Sequence, residues 1–252
     1  MPKHTSLVAD LPTAVAAAVW RGDDLAAPSG AVVSSGWEAL DAELPGGGWP
    51  CGSLTEVLSP QPSLLEWRLL GPALGRVAAA GGCVLVVGPP KPPYLPGLEA
   101  FGLSERHLIW VQAEAPAQRL WVTEQLVQAD IAGAVLAWLP QARSEQLRRL
   151  QSCLAGGRAL LVALRPEGAR SEASPAGLRV LGRCGPDWTL RLQLLKRRGP
   201  THEGELVLPA VPPSLEAVLT RRTRQSSRFV SQPAGAHHAV VRALPARRIA
   251  AI

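Results

Sequence analysis

Short, almost wholly apolar runs alternate with longer amphipathic stretches along most of this chain. Cys83–Val87 (CVLVV), Gly133–Leu139 (GAVLAWL) and Ala159–Leu164 (ALLVAL) each read as a strand. Strands that are apolar throughout fit burial on both faces, as in a parallel sheet. Gly52–Leu58 is a further strand, with Leu54 and Val57 as its apolar positions, and Leu108–Val111 is another. Between them the spacing predicts helices. One runs from Leu64 to Ala80, with Gly71-Pro72 expected to kink or restart it. Another runs from Pro116 to Ala129, opened by a proline in its first turn. A third is capped by Ser144, places Leu147, Leu150 and Leu154 on one face and ends at Gly156.

Strands alternating with helices predict an α/β domain with a mainly parallel sheet flanked by helices, and Ala159–Leu164 closes that series. The pattern then changes. Leu178–Gly182, Trp188–Leu195 and Glu205–Leu208 read as strands, and Leu190, Leu192 and Leu194 alternate with Arg191 and Gln193. They predict an antiparallel extension at the edge of the sheet.

The N-terminal side is helical in pattern. Residues 12–27 offer Val15, Val19 and Trp20 to one face. Ser35 and Glu38 are spaced as a capping box ahead of Trp37, Leu40 and Leu44, and Pro45 with Gly46-Gly47-Gly48 ends that helix. The chain thus divides into a helical segment over 1–30, a core domain over 31–212 and a basic tail over 213–252. The tail opens on a short amphipathic stretch with Leu215, Val218 and Leu219.

The chemistry centres on the loop after the Gly52–Leu58 strand. A strand, loop and helix here has the layout of a phosphate-binding unit, G-x-x-x-x-G-K-[ST], in which backbone amides cradle phosphates and the lysine neutralises their charge. This chain instead reads Ser59-Pro60-Gln61-Pro62-Ser63-Leu64-Leu65-Glu66. Two prolines remove amide donors. Leu65 stands at the lysine position and Glu66, an anion, at the hydroxyl position. The loop is therefore a degenerate one, unsuited to a triphosphate.

The run SGWEALDAELPGGGWPCGSLTEV resembles the lead-in to the phosphate loop of RecA recombinases. The chain is more closely similar to the ImuA family, RecA-like and SulA-like proteins associated with translesion DNA synthesis. The similarity is carried by V-W-R-G-D near Trp20, L-P-G-G-G-W-P near Trp49 and L-L-K-R-R-G near Lys196, in that order. The resemblance implies a RecA-like core. It also implies that two further groups of the ancestral ATPase are missing. The water-activating glutamate position falls on Pro89 or Pro90, and the magnesium-organising aspartate position on Trp138. The protein is thus expected to be a pseudo-ATPase without cofactor, metal or catalytic residues.

Charge and composition refine the picture. The formal charge is +6, but residues 221–252 hold seven arginines and no acid, which leaves 19 basic and 20 acidic groups for residues 1–220. The basicity belongs to the tail. Arg221, Arg222, Arg224 and Arg228 are candidate contacts to DNA or an acidic partner, and Lys196, Arg197 and Arg198 are a second candidate set. The pair Phe229-Val230 could dock in a partner's groove. The loop Arg165–Gly177 gains little weight as a DNA contact, since Glu167 and Glu172 offset Arg165 and Arg170. The four cysteines are far apart and form no C-x-x-C; they read as buried and reduced, in a cytoplasmic protein. Of eight tryptophans, Trp37, Trp49, Trp67 and Trp138 are expected to fill volume near the vacated site, with Trp49 or Trp67 as the alternative exposed anchor.

The expected function is a non-catalytic adaptor of error-prone translesion synthesis in a damage-induced polymerase complex. The resemblance implies an ImuB-type Y-family polymerase-like protein, an error-prone replicative-type DNA polymerase and RecA itself as partners. DNA is open as a contact through the tail, and homo-oligomerisation is left open. The alternatives are a weak ATPase with unorthodox ligands and a SulA-like inhibitor of cell division.

Overall fold

The computed structural model describes residues 30–130 and 133–212, together with Leu215 and Leu219. The 1–30 helical segment (save Gly30), the tail arginines and Phe229-Val230 lie outside the described residues. The chain forms an α/β structure with a mainly parallel, mixed eight-stranded sheet between helices. In chain order its elements begin with β1 (Val32–Val33), α1 (Glu38–Asp41), β2 (Trp49–Pro50), β3 (Leu54–Ser59), α2 (Glu66–Ala79), β4 (Val84–Val87), α3 (Leu95–Glu99) and β5 (Leu108–Val111). They continue with α4 (Pro116–Gln128), β6 (Ala134–Trp138), α5 (Ser144–Cys153), β7 (Leu160–Pro166), β8 (Leu178–Cys184), β9 (Thr189–Lys196) and β10 (Leu206–Pro209).

The large sheet has the order β10-β9-β8-β3-β7-β6-β4-β5, and β1 pairs with β2 in a separate ribbon. Every neighbouring pair from β8 to β5 is parallel. β9 is antiparallel to both β8 and β10. The parallel series therefore ends at β8, not at Ala159–Leu164 as the alternation suggested. No helix separates β7 from β8, only a 3-10 turn over Glu167–Ser171, so the helical spacing that marks the other crossovers is missing.

One face of the sheet carries Val57, Val84, Val86, Leu136, Trp138, Val162, Leu164, Val180 and Leu192, covered by Leu40 of α1 and Leu69, Leu70, Leu74 and Val77 of α2. The other carries Leu54, Leu85, Val87, Val135 and Leu161 against Leu120 of α4 and Leu147 and Leu150 of α5. β3, β4 and β6 are buried at every position, because helices cover both of their faces.

Three local expectations are corrected. Helix α2 runs unbroken through Pro72. The Pro72 ring packs against Gly36, where even a Cβ would lie 2.4 Å from it, and Gly75 seats flat on the Phe101 carbonyl, 2.0 Å from a built Cβ. Tertiary packing on both sides of the proline holds as one helix a stretch that local propensity would interrupt. The capping box at Ser35 does not form. Asp41 closes that turn, accepting Ser34 Oγ–H at 2.6 Å and the Ser35 N–H at 2.7 Å, and the helix is only four residues long. Ser144 is the first residue of α5 rather than its cap; the Gln146 side chain accepts the Arg143 N–H at 2.8 Å instead.

Candidate functional site

The carboxyl ends of β3, β4, β6 and β7 converge on one pocket, in the place where open α/β sheets hold their ligands. It is lined by Ser59, Pro62, Glu66, Pro90, Arg119, Trp138, Pro140, Leu164, Arg165 and Pro166 and has a volume of about 120 Å³. Four positions singled out in the sequence, Ser59, Glu66, Pro90 and Trp138, thus meet in space although they span 80 residues of chain. Pro60 and Pro89 flank the pocket without lining it. Leu65 has left it altogether.

The loop geometry explains the last point. Leu65 is 1% exposed and joins the core of the α2 face. A Cβ at Gly182 would stand 3.1 Å from its Cδ1, so β8 makes room for it. The Leu65 side chain therefore points into the protein. Glu66 takes the opposite course. It is 2% exposed, and its carboxylate turns back on its own loop. Oε1 accepts the Ser63 N–H at 2.8 Å and Oε2 the Leu65 N–H at 3.1 Å. Ser63 adopts φ 62°, a left-handed conformation that bends the loop toward that carboxylate. Glu66 also opens α2, where the free amides and the helix dipole favour negative charge. The loop amides hold an anion, and that anion belongs to the protein.

The remaining walls are set by residues that the sequence pattern did not single out for this role. Arg119 of α4 donates from Nε to the Ala113 carbonyl at 2.8 Å and from Nη1 to the Trp138 carbonyl at 3.4 Å. Arg165 on β7 is 4% exposed. It donates from Nη1 to Glu56 Oε1 at 3.0 Å, and from Nη2 to the Ala142 carbonyl and Glu172 Oε2, both at 2.7 Å. Glu56, fully buried at the middle of β3, receives a second arginine, Arg179 Nε at 2.5 Å. The register places Glu56 opposite Arg179 and Leu58 opposite Arg165, so the triad shares one face of the sheet. Glu172 does offset Arg165, but Glu167 pairs with Arg183. A glutamate and two arginines scattered over 123 residues carry no local signal; only the strand register unites them.

The tryptophans divide. Trp138 lines the pocket and stands 6.3 Å from Trp67, ring centre to ring centre. Trp49 is fully buried in the core, and Trp37 ties its Nε1–H to the Leu69 carbonyl at 3.1 Å. Among the described residues the exposed tryptophans are Trp110 and Trp121, so the role of surface anchor does not fall to Trp49.

The second basic set is only partly available. Arg197 is bonded to both the backbone carbonyl and the carboxylate of Glu43, and Nε donates to the Pro200 carbonyl at 2.7 Å. It ties the β9–β10 turn to the α1 region. Lys196 Nζ donates to the Ser174 carbonyl at 3.0 Å from an exposed position, and Arg198 is exposed. Cys51, Cys83 and Cys153 are half-buried and Cys184 is exposed, all as free thiols; none is fully buried as the sequence suggested. Burial pushes the Cys51 thiol above its usual pKa. Burial also lowers the Arg68 guanidinium, partly countered by Cys184, whose sulfur lies 3.6 Å from Nη1.

Among the described residues no helix is long and apolar enough to cross a membrane, and no three His, Cys, Asp or Glu side chains gather as a metal site. No protein-family model matches the chain, and a search of curated proteins finds no match either.

Proposed function

We propose that this protein is a non-catalytic, RecA-like accessory protein of error-prone translesion DNA synthesis, similar to ImuA, in which the nucleotide site is closed from within. The observation that carries the reading is the Glu66 carboxylate bonded to the Ser63 and Leu65 amides. An internal anion on the loop amides competes with any phosphate and repels it. Two features add support. A pocket of about 120 Å³ is well below the roughly 300–1,000 Å³ of ordinary small-molecule sites. The lysine position is core, and the resemblance places Trp138 and Pro89 or Pro90 where a RecA-type ATPase keeps its acids.

With the fuel site closed, the protein acts by assembly. An ImuB-type polymerase-like protein, an error-prone replicative-type polymerase and RecA are its partners, in the cytoplasm and at the nucleoid. Arg221, Arg222, Arg224 and Arg228 supply the contact to DNA or to an acidic partner surface, with affinity that falls steeply in salt. Calorimetric titration with magnesium ATP tests the first half: no heat of binding is expected, and micromolar affinity sinks it. Co-purification with the ImuB-type partner, repeated after truncation at residue 213, tests the second. Absence of any association with these proteins counts against the adaptor role.

A further inference from the structure

The two edges of the eight-stranded sheet are finished differently. β10 closes one of them. The Ala210 N–H donates to the Trp188 carbonyl just ahead of β9. Backbone groups alternate in direction along a strand, so Leu206 and Leu208 also face β9, while Val207 and Pro209 face outward. Pro209 has no N–H, and a proline on an edge is a defence against pairing with another chain. β5 closes the other edge and carries no such residue. There the Gly88 N–H donates to the Val111 carbonyl, so Val111 and Ile109 turn their backbone groups toward β4. Leu108 and Trp110 turn theirs to the open side, where no strand pairs with them among the described residues. The side chains on this edge are apolar. Ile109 is 48% exposed and Trp110 43%, and they stand on opposite faces, beside Leu85 and Val86 respectively.

Charge selects the occupant. Exposed Arg106 precedes β5 and exposed Glu114 follows it. Arg106 bonds only to the neighbouring His107, through Nε. Neither charge has an ion-pair partner among the described residues. An antiparallel strand with the complementary order of charge is β5 itself, turned about a two-fold axis. Residues that face each other in an antiparallel pair either both exchange hydrogen bonds or neither does, so β5 meets its own copy centred on a residue. Centred on Trp110, each Ile109 faces a Val111, and each Arg106 comes opposite a Glu114. Centred on Ile109, Arg106 faces Gln112 instead; centred on Val111, Glu114 faces Leu108. We propose that β5 is a homodimer interface, in which two copies pair antiparallel about Trp110 and continue one sheet across both molecules. The inference is independent of whether the nucleotide site is closed.

Analytical ultracentrifugation of the full-length protein over a dilution series tests this, and a monomer–dimer equilibrium is expected. Trp110→Pro removes the outward N–H from each copy and leaves the bonds to β4 in place. It should raise the dimer dissociation constant about ten-fold or more, for two lost hydrogen bonds. Arg106→Glu, on the surface, sets like charges opposite each other and should weaken the dimer about five-fold. Adding Glu114→Arg to that variant should restore it. Cross-linking reads the register. In a Cys184→Ser background, which removes the exposed native thiol, Trp110→Cys should form an intermolecular disulfide on mild oxidation. Cα atoms of a hydrogen-bonded antiparallel pair lie about 5.5 Å apart, within disulfide reach. Ile109→Cys should not, because the two copies of that residue are diagonal neighbours about 7–8 Å apart. A monomer at every concentration overturns the proposal, and so assigns the edge to a strand from a different chain if to any. It is also overturned if the charge-exchanged variant is no tighter than Arg106→Glu alone, or if Ile109→Cys cross-links as readily as Trp110→Cys.

Discussion

Glu56 and Glu66, the two most deeply buried carboxylates among the described residues, are held by opposite means. Glu56, at the centre of β3, is fully buried between the guanidinium groups of Arg165 and Arg179. Glu66, just beyond the end of the same strand, is almost as deeply buried but is held by two backbone amides at the start of α2. The first anion is balanced by full charges fixed on neighbouring strands, so its loss strands two cations in the sheet. The second is balanced by dipoles that solvent or another anion could equally satisfy. Glu56 is thus a strut of the sheet, while Glu66, on the function proposed above, is a stopper in a site, and their removal should have different consequences.

The largest effect is expected at the strut. Glu56→Ala leaves two buried arginines without their shared partner and should cost about 3–5 kcal/mol, read as a shift in the urea midpoint. A loss below about 1 kcal/mol would mean that water reaches the triad. Leu65→Ala comes next, at about 2–5 kcal/mol for a buried leucine. The companion change Leu65→Lys should destabilise the protein without restoring nucleotide affinity, since the side chain is directed into the core. Recovery of ATP binding by this variant would show that the loop can turn the residue outward.

Removing the stopper is milder and more informative. Glu66→Ala leaves the Ser63 and Leu65 amides unpaired, at about 1–3 kcal/mol. Inorganic sulfate should then raise the melting temperature of the variant beyond the general salt effect seen in the wild-type protein. If the two proteins respond alike, the loop does not hold an anion site. The smallest effect concerns reactivity rather than stability. The thiolate is the reacting form, and burial raises the Cys51 thiol. Iodoacetamide at about pH 8, near the ordinary thiol range, should therefore modify exposed Cys184 well before Cys51, as followed by peptide mass mapping.

Much of this was legible in the chain. The apolar runs at Val84–Val87, Ala134–Trp138 and Leu160–Leu164 marked the central strands, because parallel strands covered on both faces must be apolar at every position. Ser59, Glu66, Pro90 and Trp138 were singled out in the sequence, the last two only through the family resemblance, and all four line one pocket at the strand ends. Other features were hidden. The parallel pairing of β8 with β3 left no helical spacing to read. Asp41 took over from Glu38 at the turn after Ser35 through geometry that a spacing rule does not contain. The unbroken run of α2 through Pro72 was hidden because Gly36 and Phe101, which pack around it, are remote in sequence.

By itself the sequence determined the alternation of strand and helix, the absence of a lysine from the loop and the concentration of cationic charge after residue 220, since composition and period are local properties. The tertiary structure alone decided which way side chains turned. It sent Leu65 inward and brought Glu66 back onto its own loop. It gathered Glu56, Arg165 and Arg179 on one face. Strand order and register set these outcomes, because they determine which distant residues become neighbours and whether a buried polar group finds a partner.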